Sequence, residues 1–247
     1  MPQGFGARTY QQWMPAGDLR SFRVTVQETD LLILALHDLS ALAAEAVSEY
    51  RAQLETYIHA HPAFRTSFDP VAVSAEAPPM IQAMAAAARQ AGVGPFAAVA
   101  GALAEAVGRA LLPFSPEIIV ENGGDIFAAS ARSRVFGIYA GHSPLTGKIA
   151  LRVDASQMPC GVCTSSGTVG PSISFGRADA AIIIAQSAAF ADACATALGN
   201  RIRTAADIPA GLAFAAQTAG IEGAVVILGE ALGAWGNVQF VKTRLSD

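Results

Sequence analysis

Residues 160–200 read CGVCTSSGTVGPSISFGRADAAIIIAQSAAFADACATALGN. A cysteine pair, Cys160 and Cys163, leads into a small polar turn, Thr164-Ser165-Ser166-Gly167-Thr168. Small residues follow, then an apolar run over 180–185, then an alanine-rich segment carrying one acid, Asp192, and one hydroxyl, Thr196. The spacing predicts a helix over that last segment, with Asp192 and Thr196 four residues apart on one face. A carboxylate among so many alanines requires a partner, because an unpaired buried charge is costly.

Working outward, alternating β-branched residues predict a strand over 19–27, and an apolar run predicts a second over 31–36, together a hairpin around a polar break at Glu28-Thr29-Asp30. Asp38 and Ser40 offer N-cap oxygens to a helix over 41–59, which Pro62 stops. Glu45, Glu49, Arg51 and Glu55 mark its solvated face, and His59 and His61 lie near its end without evident ligand partners. Residues 61–79 read as irregular, 80–90 as a helix ended by Gly92, and Pro95 as the first position of a helix reaching Leu112. Ala97, Ala98, Gly101, Ala102 and Ala104 leave that helix nearly bare on one side. Such a side admits either a packed backbone or a flat ligand.

Residues 117–120 and 126–129 read as strands flanking Asn122-Gly123-Gly124-Asp125, an ordinary hairpin signal. Further strands are expected over 134–139 and 148–153, with 141–147 as their loop, and over 222–228 and 237–242, with a helix over 205–219 between. Strands and helices come in clusters without strict alternation, which predicts an α+β fold with antiparallel sheet layers and alanine-rich helices. No composition shift marks a linker, so residues 1–247 are expected to form one unit, with residues 1–18 as an arm docked by Tyr10 and Trp13.

With 52% apolar and 15% charged residues the chain can bury a large core. It has no uninterrupted apolar run of the roughly 20 residues a membrane span needs. Residues 1–20 lack a signal-peptide core. The net charge of −4 without a basic block disfavours nucleic-acid binding. Three cysteines, an odd number, argue against a disulfide framework and suit a reducing cytoplasm.

The Thr164–Thr168 turn does not match the nucleophile elbow of a serine hydrolase, and sequence order does not place His142 beside Ser165. Cys160-Gly161-Val162-Cys163 has CxxC spacing but continues into what reads as a loop. With only Cys194 as a third ligand, scaffold is a better reading than redox pair or zinc site. The hydroxyls and glycine of the turn suit phosphate oxygens, by backbone N–H and hydroxyl donation. Asp192 and Thr196 offer two hard oxygens to Mg²⁺. Equally, Asp192 caps a neighbouring segment while Thr196 bonds back to the Asp192 carbonyl.

The chain resembles the UPF0280 family, which is related to the ApbE-like flavin transferases. The resemblance runs from Glu28-Thr29-Asp30-Leu31 onward. It rests on Val93-Gly94-Pro95, Val120-Glu121-Asn122-Gly123-Gly124-Asp125-Ile126, Cys163-Thr164-Ser165-Ser166-Gly167-Thr168-Val169-Gly170 and Ala191-Asp192-Ala193-Cys194-Ala195-Thr196-Ala197. ApbE-like enzymes move FMN from FAD to a threonine of an acceptor protein, using Mg²⁺. The resemblance implies a T-fold-related, ApbE-like fold. It implies Asp192, Thr196 and a backbone carbonyl at Ala98 as Mg²⁺ ligands. It also implies a flavin or other nucleotide diphosphate held by Asn122, Gly123, Gly124 and Asp125 and by Thr164, Ser165, Ser166, Gly167 and Thr168. Against it, Ala100-Gly101 stands where ApbE has Lys-Gly, the later histidine segment is missing, and Pro171 stands where a UPF0280 histidine is expected. The expectation is a cytoplasmic flavin- or nucleotide-binding protein, either an FMN transferase or FAD-processing enzyme, or else a non-catalytic binding module or structural homo-oligomer.

Overall fold

The structure, a computed structural model, describes residues 18–169 and 174–243. The chain runs β1 (Arg20–Val26), β2 (Thr29–Ala35), α1 (Ser40–Ala60), α2 (Ala63–Thr66), α3 (Pro79–Ala91), a 3₁₀ turn (Pro95–Ala98) and α4 (Val99–Leu111). Strands β3 (Ile118–Asn122), β4 (Asp125–Ala129), β5 (Arg134–Gly137), β6 (Ile149–Val153), β7 (Cys160–Ser165) and β8 (Ala180–Ala185) follow. The rest is α5 (Ala188–Gly199), α6 (Ile208–Gln217), β9 (Ile221–Leu228), β10 (Ala231–Gly236) and β11 (Gln239–Lys242).

Eight strands form one sheet in the order β1-β2-β3-β4-β7-β8-β9-β10, and every neighbouring pair is antiparallel. The remaining three form a second sheet, β11-β6-β5. The period-2 alternation of side chains divides the core. Phe127, Cys163, Ala181, Ile183 and Val226 face the helices. Their neighbours Ile126, Val162, Ile182, Ile184 and Val225 join Phe136 and Leu151 of the small sheet in a second apolar cluster. The result is three layers, helices over the large sheet over the small one, which is the α+β arrangement expected. It explains why β8, AAIIIA, is buried along its whole length.

Small residues set the spacing of the helical layer. A methyl group at Gly101 on α4 would meet the Ala188 carbonyl and the Asp192 side chain of α5. One at Gly161 on β7 would meet the Ala188 backbone, and one at Gly108 would meet the Phe127 ring on β4. The bare side of α4 is therefore first of all a packing surface.

Several expectations are corrected. The loop expected after Cys163 begins later: Thr164 and Ser165 complete β7 (Cys160–Ser165), paired with β4 and β8, so the CxxC lies inside the sheet and only Ser166 onward is irregular. β10 was not legible, because ALGAWG carries no polar–apolar alternation and is broken by Gly233 and Gly236. The expected helix over 205–219 is a 3₁₀ turn, Ala205–Asp207, followed by α6. Pro95 opens a 3₁₀ turn rather than α4 itself. The N-cap of α1 is Leu39, with no side-chain cap, although Asp38 accepts the Ser40 N–H at 2.9 Å. Arg51 is not simply solvated: it bonds Thr29, Glu28 and Glu55, tying α1 to the β1–β2 turn. The reading of residues 1–17 as an arm lies outside the described residues. Among the described residues no single helix is long and apolar enough to cross a membrane.

Gly101→Ala is expected to lower stability by about 1–3 kcal/mol, as overpacking does. Helix propensity alone would raise it by up to about 1 kcal/mol. Denaturant midpoints decide the sign, and a stabilised variant would mean that α4 and α5 do not meet at this glycine.

Candidate functional site

α4 and α5 hold each other by their N-termini. Ser187 caps α5, accepting the Phe190 N–H. Glu105 of α4 then accepts the Ser187 hydroxyl at 2.9 Å and the Ala188 N–H at 2.7 Å. In return Asp192 of α5 accepts the Gly101 N–H of α4 at 2.9 Å. Each carboxylate thus meets the positive end of the other helix. The capping reading of Asp192 therefore holds for one of its oxygens. The back-bond from the Thr196 hydroxyl to the Asp192 carbonyl is not made among the described residues.

Asp192 and Thr196 also line one large cavity, of about 1000 Å³. The β3–β4 hairpin supplies its second acid. Gly123 and Gly124 adopt φ of 68° and 104°, as a two-residue hairpin turn requires. Glu121, 1% exposed, accepts the Gly124 N–H at 2.8 Å. Asp125 accepts the Thr164 N–H of β7 at 3.3 Å. Gly123, Gly124 and Asp125 line the cavity; Asn122 does not. Asn122 instead donates to the Ala100 carbonyl at 3.1 Å, fixing the hairpin to the start of α4.

Burial lifts the Asp125 carboxyl well above the usual carboxylate range, and the neighbouring Asp192 charge raises it further. Asp192 is pushed up to about 7 by burial, against the pull of the Gly101 and Ala100 N–H groups. Two adjacent carboxyl groups that resist ionising together describe a place where a cation is electrostatically favoured.

The polar turn differs from its expected form. Thr164, Ser165, Ser166 and Thr168 line the cavity, but Gly167 does not. Several backbone donors here are already used: Gly167 N–H bonds the Ala178 carbonyl at 2.8 Å, and Thr168 and Val169 N–H both bond the Ser166 hydroxyl, at 3.1 and 3.0 Å. What this wall offers a ligand is hydroxyl groups, with Thr164 and Ser165 unbonded through theirs among the described residues. Ala98 is fully buried and does not line the cavity; Ala97 and Ala100 do. Pro171 lies outside the described residues.

Sequence reasoning missed other members of the wall. His142, from the β5–β6 loop, lines the same cavity as Ser165 although nothing in their order relates them. Arg65, Phe68, Phe96, Phe175 and Asn200 line it too. For Glu121 there was a signal, an acid in an otherwise apolar strand. The three thiols are excluded from chemistry: burial pushes Cys160 and Cys194 up to about 12 and Cys163 well above its usual value.

No group of three or more His, Cys, Asp or Glu side chains is placed to hold a metal ion among the described residues. The donors at the cavity wall, the carboxyls of Glu121, Asp125 and Asp192 and the neighbouring hydroxyls, are all hard oxygen. They fit Mg²⁺, which takes one or two carboxylates and completes its shell with water and phosphate oxygens.

Comparison with known proteins is consistent along the chain. The family model described as AbpE bacteria matches residues 11–220. The chain is 37% identical over 223 residues to a UPF0280 protein of Methanocella arvoryzae, covering 89% of each. It is 43% identical over 198 residues to one of Methanosarcina acetivorans, covering 79% of this chain and 78% of that protein. Among solved structures, the ApbE protein of Thermotoga maritima superposes with a TM-score of 0.54 at 16% identity, covering 87% of this chain and 96% of that one. The flavin transferase ApbE of Vibrio cholerae gives 0.53 at 12%, covering 88% and 96%. At these identities the likeness to the solved structures is one of fold.

The raised Asp192 carboxyl sets a pH signature. With metal removed, Asp192 in the folded chain retains a proton that the unfolded chain releases near pH 4, so its contribution to stability falls as pH rises from about 4 to about 7, by up to ~1.4 kcal/mol per unit. Asp192→Asn keeps an acceptor for Gly101 and removes that slope, making the variant more stable than the wild type at pH 8. Denaturation across pH in the presence of chelator tests this; parallel curves for the two proteins would refute it.

Proposed function

This chain belongs to the family described as AbpE bacteria and is a UPF0280 protein, and from that premise we propose that its cavity binds a flavin dinucleotide or another nucleotide diphosphate together with Mg²⁺. The observation that carries this reading is the pairing of buried Asp125 and Asp192 at the wall of a cavity large enough for such a ligand. Ionised as ligands of the metal, the two carboxylates would repel a bare diphosphate, so the anion enters with its cation. The ligand class is taken from the flavin transferase ApbE of Vibrio cholerae, whose fold this chain shares.

In this reading Asp125, Asp192 and Thr196 hold the ion. The Gly101 N–H orients Asp192, and the Thr164 N–H orients Asp125. Asn122 fixes the Ala100 carbonyl beside them. Thr164 and Ser165 offer hydroxyls to phosphate oxygens. When bound, Mg²⁺ supplies charge neutralisation at the diphosphate. The reaction proposed is transfer of FMN from FAD to a hydroxyl of an acceptor protein, with AMP as the leaving group and the hydroxyl proton released, or hydrolysis of FAD by water to FMN and AMP. The three free, buried thiols suit a reducing compartment and support a cytoplasmic setting. A binding module without turnover is the second reading. Ala100, where the resemblance implies a lysine, favours it.

Adding FAD and Mg²⁺ to the purified protein is expected to give binding that chelation reverses and, for an FAD-hydrolysing enzyme, release of AMP. Affinity for Mg²⁺ should strengthen as pH rises through about 7, because Asp192 must lose its proton to act as ligand. Asp192→Asn is expected to abolish the metal dependence while the protein stays folded. Metal-independent FAD binding, unchanged in Asp192→Asn, would remove the carboxylate pair from the site; binding without AMP release excludes hydrolysis of FAD.

A further inference from the structure

Two phenylalanines stand at the cavity without a folding role that accounts for them. Phe68 is 59% exposed and Phe175 is 55% exposed, yet both line the cavity. Their rings meet edge to face, with centroids 5.1 Å apart and planes at 67°. Phe114, also exposed, does not line it. Most of the apolar area of the pair stays in water, so their mutual contact contributes little to stability.

Their backbones, by contrast, are firmly held. The segment entering Phe68 is pressed onto Gly94, where a methyl group would meet the Ser67 carbonyl. The Ser67 hydroxyl donates to the Asp69 carbonyl at 2.8 Å and accepts the Asp69 N–H at 3.1 Å, closing a tight turn around Phe68. Phe175 donates its N–H to Asn200, at the end of α5, at 2.9 Å. Gly176 is packed against the Gly199 carbonyl, and Arg177 N–H bonds Ile202 at 2.7 Å. Each exposed ring is thus mounted on one of the two elements that position Asp192: the Gly94–α4 segment and α5. A third ring, Phe96, also lines the cavity, with the Arg65 guanidinium 6.0 Å from its centroid. Arg65 makes no ion pair among the described residues.

We propose that Phe68 and Phe175 form the ring-binding subsite of this cavity, a preorganised aromatic platform for the planar heterocycle of the nucleotide. This deepens the nucleotide-diphosphate reading and rests on it. Ligand chemistry is then divided: carboxylates and hydroxyls serve the metal–phosphate part, and the aromatic platform serves the ring. Two rings at a steep mutual angle present one face and one edge, which suits a flat ring lying against them. Because the backbones are already fixed, little ordering cost remains on binding. Stacking on such a platform tolerates different rings, since every base has a π face. The platform therefore sets affinity for the ring-bearing part and leaves phosphate binding unaffected.

Calorimetric titration with three probes, each with Mg²⁺, tests this: FAD, ADP and inorganic pyrophosphate. Phe68→Ala and Phe175→Ala are expected to weaken FAD and ADP about tenfold or more, the range of lost base–aromatic stacking. Pyrophosphate affinity and the unfolding midpoint should not change, and Phe68→Tyr should bind FAD as the wild type does. Variants that bind FAD and ADP like the wild type overturn the platform while leaving the nucleotide reading intact. So does an equal loss for pyrophosphate, which would mean that the mouth had merely collapsed. A wild type that binds neither FAD nor ADP overturns the nucleotide reading, and the platform falls with it.

Discussion

The mutual capping of α4 and α5 is the constraint from which the site follows. Two alanine-rich helices have few side chains with which to fix their relative position, and van der Waals contact alone leaves sliding motions cheap. Glu105 on the α5 N-terminus and Asp192 on the Gly101 N–H lock both translation and rotation. Gly101 makes this possible by admitting the Ala188 backbone. Reciprocity matters here: each helix is the template for the other's first turn, so neither is positioned before the other is.

The arrangement puts a carboxylate under opposing demands. As a cap, Asp192 is stabilised by peptide N–H groups; as a buried anion next to Asp125, it is held near neutrality. A group balanced in this way responds to the arrival of a cation with a large change in charge and a small change in position. The hairpin at Gly123–Gly124 and strand β7 bring Asp125 to the same wall through backbone pairing, so the second carboxylate is as firmly placed as the first.

Local chemistry was legible in the sequence, and tertiary assignment was not. The Gly-Gly hairpin, the helix stop at Gly92 and the shared face of Asp192 and Thr196 each depend on neighbouring residues, and each stands in the fold. β10 escaped because ALGAWG has no polar–apolar alternation and two glycines, Gly233 and Gly236, that read as loop, and its edge place in the sheet imposes no continuous apolar run. The pairing of β11 with β6 joins segments nearly ninety residues apart, which no window of sequence reveals. Within the site, the polar turn was visible but the spending of its N–H groups on Ala178 and Ser166 was not. Ala98 itself is buried at the end of a 3₁₀ turn, and of its neighbours Ala97 and Ala100 line the cavity. Glu105 drew no notice because an acid on a helix ordinarily faces water, and its role exists only once α5 is in place.

The sealed thiols have a practical corollary. Cys160 and Cys163 lie within β7 and Cys194 within α5, all buried, and all held in the protonated form far above neutral pH. Thiolate is the species that reacts with maleimides and oxidants. The folded protein therefore presents a background silent to alkylating probes, and a single cysteine placed on its surface would be modified selectively without removing any native one. The same silence makes native-state alkylation a clock for opening: Cys163 becomes reactive only when β7 leaves the sheet.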